Sequence, residues 1–276
     1  MIHMTNFVNK TRNTVSKTYG TDKAGSADSS AIVFCGDHKS IEDINAIANR
    51  SKEVLLGTDA QFIQRIDKGA KFLDALLAEE GVIYGVTTGY GDSCTTSVPP
   101  HLINQLSKQL YTFHGCGSGD VFSESQSRAI LSVRLNSLAQ GFSGVRYELL
   151  KRVQQLLELE VIPVIPQEGS VGASGDLTPM SYVAAVLSGE REVFYKGQRR
   201  ATEEVFKELS VRPLQLHPKE GMALMNGTPV MTALACLAFE RAKYLCKLSS
   251  RITALCSLAV QGNVYHFDEL LFSVKK

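Results

Sequence analysis

Residues 169–176 read Gly-Ser-Val-Gly-Ala-Ser-Gly-Asp, a run of small residues around hydroxyls that ends on a carboxylate. A serine in this setting suggests a nucleophile. The elbow pattern G-x-S-x-G, however, needs glycine at 176, where this chain has Asp176, and the preceding segment is bounded by Pro163 and Pro166. A second glycine cluster, Gly115-Cys116-Gly117-Ser118-Gly119, has neither the G-K-[ST] of a phosphate cradle nor the G-x-G-x-x-G spacing of a dinucleotide fingerprint. On residue types alone both are flexible turns. The cysteines at 35, 94, 116, 236, 246 and 256 form no CxxC pair and have no histidine at zinc-finger spacing. They read as buried thiols of a cytoplasmic protein, with no metal site and no disulfide framework.

The longer stretch Gly169 to Tyr182, GSVGASGDLTPMSY, resembles the signature of the histidine, phenylalanine and tyrosine ammonia-lyases and their aminomutase relatives. The resemblance implies that Ala173, Ser174 and Gly175 cyclise to a methylidene-imidazolone, a cofactor built from the chain itself with no external one required. The residue types suit that reaction. The nitrogen of Gly175 must reach the carbonyl carbon of Ala173, and a glycine has no Cβ to obstruct so tight a turn. Amide resonance makes that nitrogen a poor nucleophile, so the fold must hold the loop in a strained, aligned geometry. Loss of water from Ser174 then leaves an electron-poor methylidene able to convert a substrate's amine into a better leaving group.

Two further segments match the family in order and spacing. Val82 to Gly91, VIYGVTTGYG, resembles the loop that carries the family's catalytic tyrosine, here Tyr84. A free tyrosine has a pKa near 10, so a base of this kind needs help from helix N-termini or hydrogen-bond donors. Without the flanking match Tyr84 reads as an ordinary half-buried aromatic. Ala223 to Thr228, ALMNGT, resembles the segment whose asparagine lies beside the imidazolone, here Asn226; helix capping is its plain alternative. The family's substrate-ring pair is Ser-His in histidine lyases, Phe-Leu in phenylalanine lyases and His-Leu in many tyrosine lyases. The matching pair here, Phe113-His114, departs from all three and leaves the aromatic amino acid open. The same resemblance places Leu177 and Gly91 among the substrate-binding residues.

The elements that must position these residues are mostly helical. Ala31 to Cys35 suggests a strand, and from Ile41 to Glu80 apolar residues recur at helical spacings with a break at Gly57. Glycines at 81, 85, 89 and 91 then impose an irregular stretch as far as Pro99 and Pro100. Helices are predicted over 102–113, from a Ser123/Gln126 capping box through Leu138, over 147–160, and from Leu177. Glu192 to Thr202 alternates around Lys196-Gly197 as a hairpin. Gly221 to about Val260 reads as one long buried helix with an irregular start.

The expected fold is therefore mainly α with minor β: an ammonia-lyase-like helical fold, cut short before the full central helix bundle. Its parts are a flexible N-terminal arm at 1–30, a domain over 31–218 carrying both loops, and an incomplete start of the long-helix bundle over 219–276. A net charge of +1, from 29 basic and 28 acidic residues, gives no electrostatic reason to bind nucleic acid or an anionic membrane. No apolar run approaches the roughly 20 residues of a spanning helix. The expected partners are a small aromatic amino acid and further copies of the chain, since family members form tetramers. Those members are much longer, and their later helices supply an arginine, a glutamine, a second tyrosine and a glutamate to shared sites. The chain up to Lys275-Lys276 holds none of these, so weak lyase activity in isolation and an exposed apolar face on the last helix are expected.

Overall fold

A computed structural model describes residues 31–79, 81–172 and 174–274. The predicted arm at 1–30, Ala173 of the ring-forming triplet, and Lys275-Lys276 lie outside the described residues.

Strand β1 (Ala31–Phe34) buries alternate side chains and pairs in parallel with β2 (Glu53–Leu56), Ile32 opposite Val54 and Phe34 opposite Leu56. Between them runs α1 (Ile41–Ala48), opened by a capping box in which Ser40 and Asp43 satisfy each other's backbone N–H. The strand β2 corrects the helical reading of 41–80. Val54 and Leu56 are buried while Glu53 and Leu55 are exposed, a period of two that the helical spacing around it masked. Helix α2 (Ala60–Ala78) follows, capped by Asp59.

The core is organised on two helices that are buried on most of their faces. Helix α4 (Glu124–Ala139), opened by the Ser123/Gln126 capping box, buries Ile130, Leu131, Leu135 and Leu138 completely. Helix α6 (Leu177–Leu187) does the same with Met180, Val183, Val186 and Leu187. A helix buried on every face must be screened from water by its neighbours. For α4 these are α1, α5 (Tyr147–Glu158) and the start of α9 (Pro229–Ala259); for α6, α3 (Leu106–Phe113) and α8 (Glu220–Met225).

Sheet structure is small. Strand β3 (Ser118–Val121) pairs with β5 (Pro166–Glu168), and β4 (Ile162–Pro163) pairs with β6 (Glu192–Tyr195), which forms the expected hairpin with β7 (Gln198–Ala201). The short α7 (Thr202–Glu208) packs on that hairpin.

The stretch predicted as one long buried helix is two, broken at Asn226–Thr228 between α8 and α9 (Pro229–Ala259). Only Pro229, Val230 and Ala233 of α9 are buried. Leu245, Ile252, Leu255 and Leu258 are half exposed or more, as are Tyr265 and Leu270 beyond it, where the chain ends in the short α10 (Glu269–Ser273). Apolar composition alone suggested burial, but the described residues supply no cover for this face. No helix among the described residues is long and apolar enough to cross a membrane.

Candidate active site

The break between α8 and α9 lies against the small-residue loop. Ser174 and Gly175 both adopt left-handed backbone, with φ of 57° and 92°, so the chain turns sharply just before α6. Gly175 then runs parallel to Gly227 in an isolated bridge, and Asp176 N donates to Gly227 O at 2.7 Å. A Cβ on Gly175 would overlap the nitrogen and carbonyl oxygen of Gly227. Glycine is thus required at 175 twice over, by conformation and by space. Asn226 ends α8, and its Nδ2 donates to Ser174 O at 3.2 Å.

Asp176 locks this crossing from below. It stands at the N-cap position of α6 but makes no side-chain cap there. Its buried carboxylate instead accepts from Val230 N at 2.9 Å and Met231 N at 3.1 Å, capping α9, and from Ser170 Oγ at 2.9 Å. Charge-assisted bonds to a helix N-terminus are among the stronger polar contacts a buried carboxylate makes. From α4, Arg134 reaches the same place: Nη2 donates to Asn226 O at 2.6 Å. Burial pushes the Arg134 guanidinium down to about 10, with the Asp176 carboxylate pulling the other way.

Neither Asp176 nor Arg134 was singled out as a site residue from sequence. For Asp176 the signal was a carboxylate immediately ahead of a predicted helix. For Arg134 it was a cation four residues from both Ile130 and Leu138, on a face otherwise given to the core.

The tyrosine loop is a separate construction. Ile83 and Val86 bury against Leu73 of α2 in a small apolar cluster of their own, with Leu76, Leu77 and Ile103 around it. Thr87 Oγ1 accepts from Ile83 N and donates to Gly81 O, and Thr88 Oγ1 accepts from Gly85 N, so hydroxyls close the turns. Tyr84 is half exposed, and its Oη accepts from Gly91 N at 2.8 Å. Gly91 takes a φ of 56°, which aims its N–H at the phenol. Tyr84 stands edge-on to Tyr90 at 6.4 Å, and burial, with Tyr84 as a lesser cause, raises the Tyr90 phenol to about 12.

The loop approaches the rest of the site at Gly85, where a Cβ would lie 3.0 Å from Met222 Sδ on α8. No hydrogen bond or ring contact among the described residues joins Tyr84 to Ser174 or Asn226.

Phe113 ends α3 with its ring 81% exposed, and His114 caps the helix edge-on to it at 5.2 Å; burial lowers the His114 pKa. The chain beyond is tied to α6, since Tyr182 Oη donates to Gly115 O at 3.4 Å and Arg191 lies over the Tyr182 ring at 4.2 Å. Leu177, the first residue of α6, is half-buried and packs on the core. Among the described residues no cluster of His, Cys, Asp or Glu is arranged to hold a metal ion.

The main chain turns sharply at Ser174 and Gly175, is pressed onto a second backbone at Gly227 and is overlooked by Asn226. Around it stands the mainly helical fold of the ammonia-lyases and aminomutases. The chain belongs to the aromatic amino acid lyase family, whose model matches residues 40–276.

It is similar to the histidine ammonia-lyase of Halalkalibacterium halodurans, 38% identical over 234 residues, covering 85% of this chain and 45% of that protein. The histidine ammonia-lyase of Bacillus velezensis is 42% identical over 210 residues, covering 76% of this chain and 41% of the relative. Among solved structures, the tyrosine aminomutase of Streptomyces globisporus superposes with a TM-score of 0.78 at 36% identity, over 83% of this chain and 43% of that one. The chain spans about half the length of the curated relatives it matches.

Proposed function

We propose that the chain carries the electrophile-forming part of an ammonia-lyase that eliminates ammonia from histidine, tyrosine or phenylalanine to give the trans-acrylate. The observation that carries this reading is the seating of Gly175 on Gly227 with Asn226 Nδ2 on Ser174 O. A turn held this way spends little further entropy on bringing neighbouring main-chain atoms together. Ala173, Ser174 and Gly175 would form the methylidene-imidazolone, which when present supplies an electron-poor carbon that activates the leaving amine.

The chain's own groups do the rest. Asn226 holds the Ser174 carbonyl. Tyr84, as phenolate, serves as base for the β-proton, its oxygen oriented by the hydrogen bond it accepts from Gly91 N. Phe113, His114, Leu177 and Gly91 border the substrate, with His114 able to hydrogen-bond an imidazole or a phenol. A small aromatic amino acid and further copies of the chain are the proposed partners, in the cytoplasm, where the free cysteines of the chain stay reduced.

Tryptic cleavage after Arg152 and Arg191 isolates the loop in one peptide, which in the natural protein is expected to weigh two waters less than its sequence. A peptide at the unmodified mass overturns the reading. The 36% identity to a tyrosine aminomutase favours, as a second reading, return of the ammonia to the β-carbon. Chiral analysis of products from L-tyrosine separates the two.

A further inference from the structure

Arg134 is 5% exposed and its Nε has no hydrogen-bond partner among the described residues. Its guanidinium presents its two Nη atoms edge-on to the Gly227 turn, where a Cβ would stand 3.3 Å from Nη2 and 3.4 Å from Nη1. The nearest opposing charge, Asp176, is already engaged by two α9 amides and a serine hydroxyl. Taking a cation out of water and leaving one donor unused costs several kcal/mol, and an aliphatic side chain would fill the space without that cost. Something at this position needs the donor. What it touches is the carbonyl of Asn226, at 2.6 Å.

We propose that Arg134 is a positioning residue: by holding the Asn226 carbonyl from inside the core, it fixes the direction in which the Asn226 side chain leaves the backbone and so its bond to Ser174 O. The carbonyl and side chain of Asn226 share one Cα. Rotation of the 226–227 peptide would swing Nδ2 off Ser174 O and would slide Gly227 along Gly175. Asp176 does not prevent this alone: its carboxylate bonds residues 230 and 231, beyond the turn, and its backbone N–H holds Gly227 O, leaving the Asn226 carbonyl to Arg134. Arg134 closes the turn from the other side. This inference rests on the reading that Ala173, Ser174 and Gly175 cyclise.

The test is the extent and rate at which the loop peptide loses two waters, followed by mass spectrometry after pulse-labelled expression, in the wild-type protein and in Arg134→Met. Helical circular dichroism and the urea midpoint are measured alongside. The methionine variant is expected to stay folded and to mature more slowly by a factor on the order of ten to a hundred, the scale of a misplacement of about 1 Å. In an Asn226→Ala background the same substitution is expected to add nothing, which a merely structural role would not reproduce.

Wild-type maturation with undiminished maturation of folded Arg134→Met overturns the inference and leaves the proposed function standing. A wild-type peptide of unmodified mass overturns both. Should Arg134→Met not fold, Arg134→Lys replaces it. An ammonium has one nitrogen where the guanidinium presents two to the Gly227 turn, so a folded lysine variant maturing at the wild-type rate likewise overturns the inference.

Discussion

At the Ser174–Asp176 loop main chain is pressed onto a distant stretch of main chain at Gly227, whereas the Tyr84 loop is closed within itself, by its own backbone bonds such as Thr87 N to Ile83 O and Gly89 N to Thr96 O, by threonine hydroxyls and by a three-residue apolar cluster. The first loop leads into α6, where Met180, Val183, Val186 and Leu187 are completely buried; the second leans on the end of α2, with its phenol half exposed. The difference follows the work proposed for each. Condensing neighbouring backbone atoms demands that those atoms have nowhere else to go. Carrying a proton demands an accessible oxygen with a defined direction, and one hydrogen bond from Gly91 N supplies that. If this contrast is right, damage to the first loop spreads through the core and damage to the second stays local.

Gly175→Ala should be the most disruptive single change. It places a Cβ on the Gly227 backbone at a φ of 92°, and a cost of about 3 kcal/mol or more is expected from strain and overlap together. Urea unfolding followed at 222 nm checks it, and an unshifted midpoint would break the comparison at its root.

Asp176→Asn keeps the shape but removes the charge that caps α9, for an expected loss of about 1–2 kcal/mol. Faster amide exchange at Val230 and Met231 should accompany it. Protection unchanged at those two amides would mean the cap is not held in solution.

For the tyrosine loop the expected handle is alkaline pH. Burial raises Tyr90 from its ordinary 10 to about 12, so the unfolded chain gives up this proton first. The protonated phenol's contribution is complete below pH 10 and is lost as pH rises towards about 12. Tyr90→Phe should flatten that decline, and an equally steep fall in the phenylalanine variant would assign it to other groups.

The smallest effect on stability is expected for Tyr84→Phe, under about 1 kcal/mol, since only the Gly91 bond is lost at an exposed site. If Tyr84 is the base, the full-length enzyme carrying this change should still lose on the order of a hundredfold or more in turnover. A stability loss as large as that of Gly175→Ala would show the two loops to be one unit.

Much of this arrangement was legible in the residues. The capping box at Ser123 and Gln126, the hairpin around Lys196-Gly197 and the helix from Leu177 depend on local chemistry, and local chemistry is written in neighbouring positions. The tyrosine and asparagine loops were found by resemblance; in the structure Asn226 Nδ2 reaches Ser174 O.

What escaped depends on partners distant in the chain. Strand β2 exists because β1 offers it a parallel edge, so its period of two was hidden within a helical stretch. Asp176 stands immediately ahead of one helix and caps another 54 residues away. Arg134 was one cation on a core-facing stripe, and only the fold shows that its target is a backbone carbonyl 92 positions on. The exposure of α9 was half foreseen: its apolar composition argued for burial, and the resemblance to much longer proteins argued against.

The crossing of Gly175 with Gly227 also has a consequence for how the polypeptide is made. Asn226 and Ser174 are 52 residues apart, and α6 with the hairpin lies between them. When a ribosome has delivered only as far as α6, the triplet exists but the strand of backbone that confines it has yet to be translated. Under the proposed reading, ring closure therefore waits for the turn before α9 to emerge, and a reactive carbon is born only after its container.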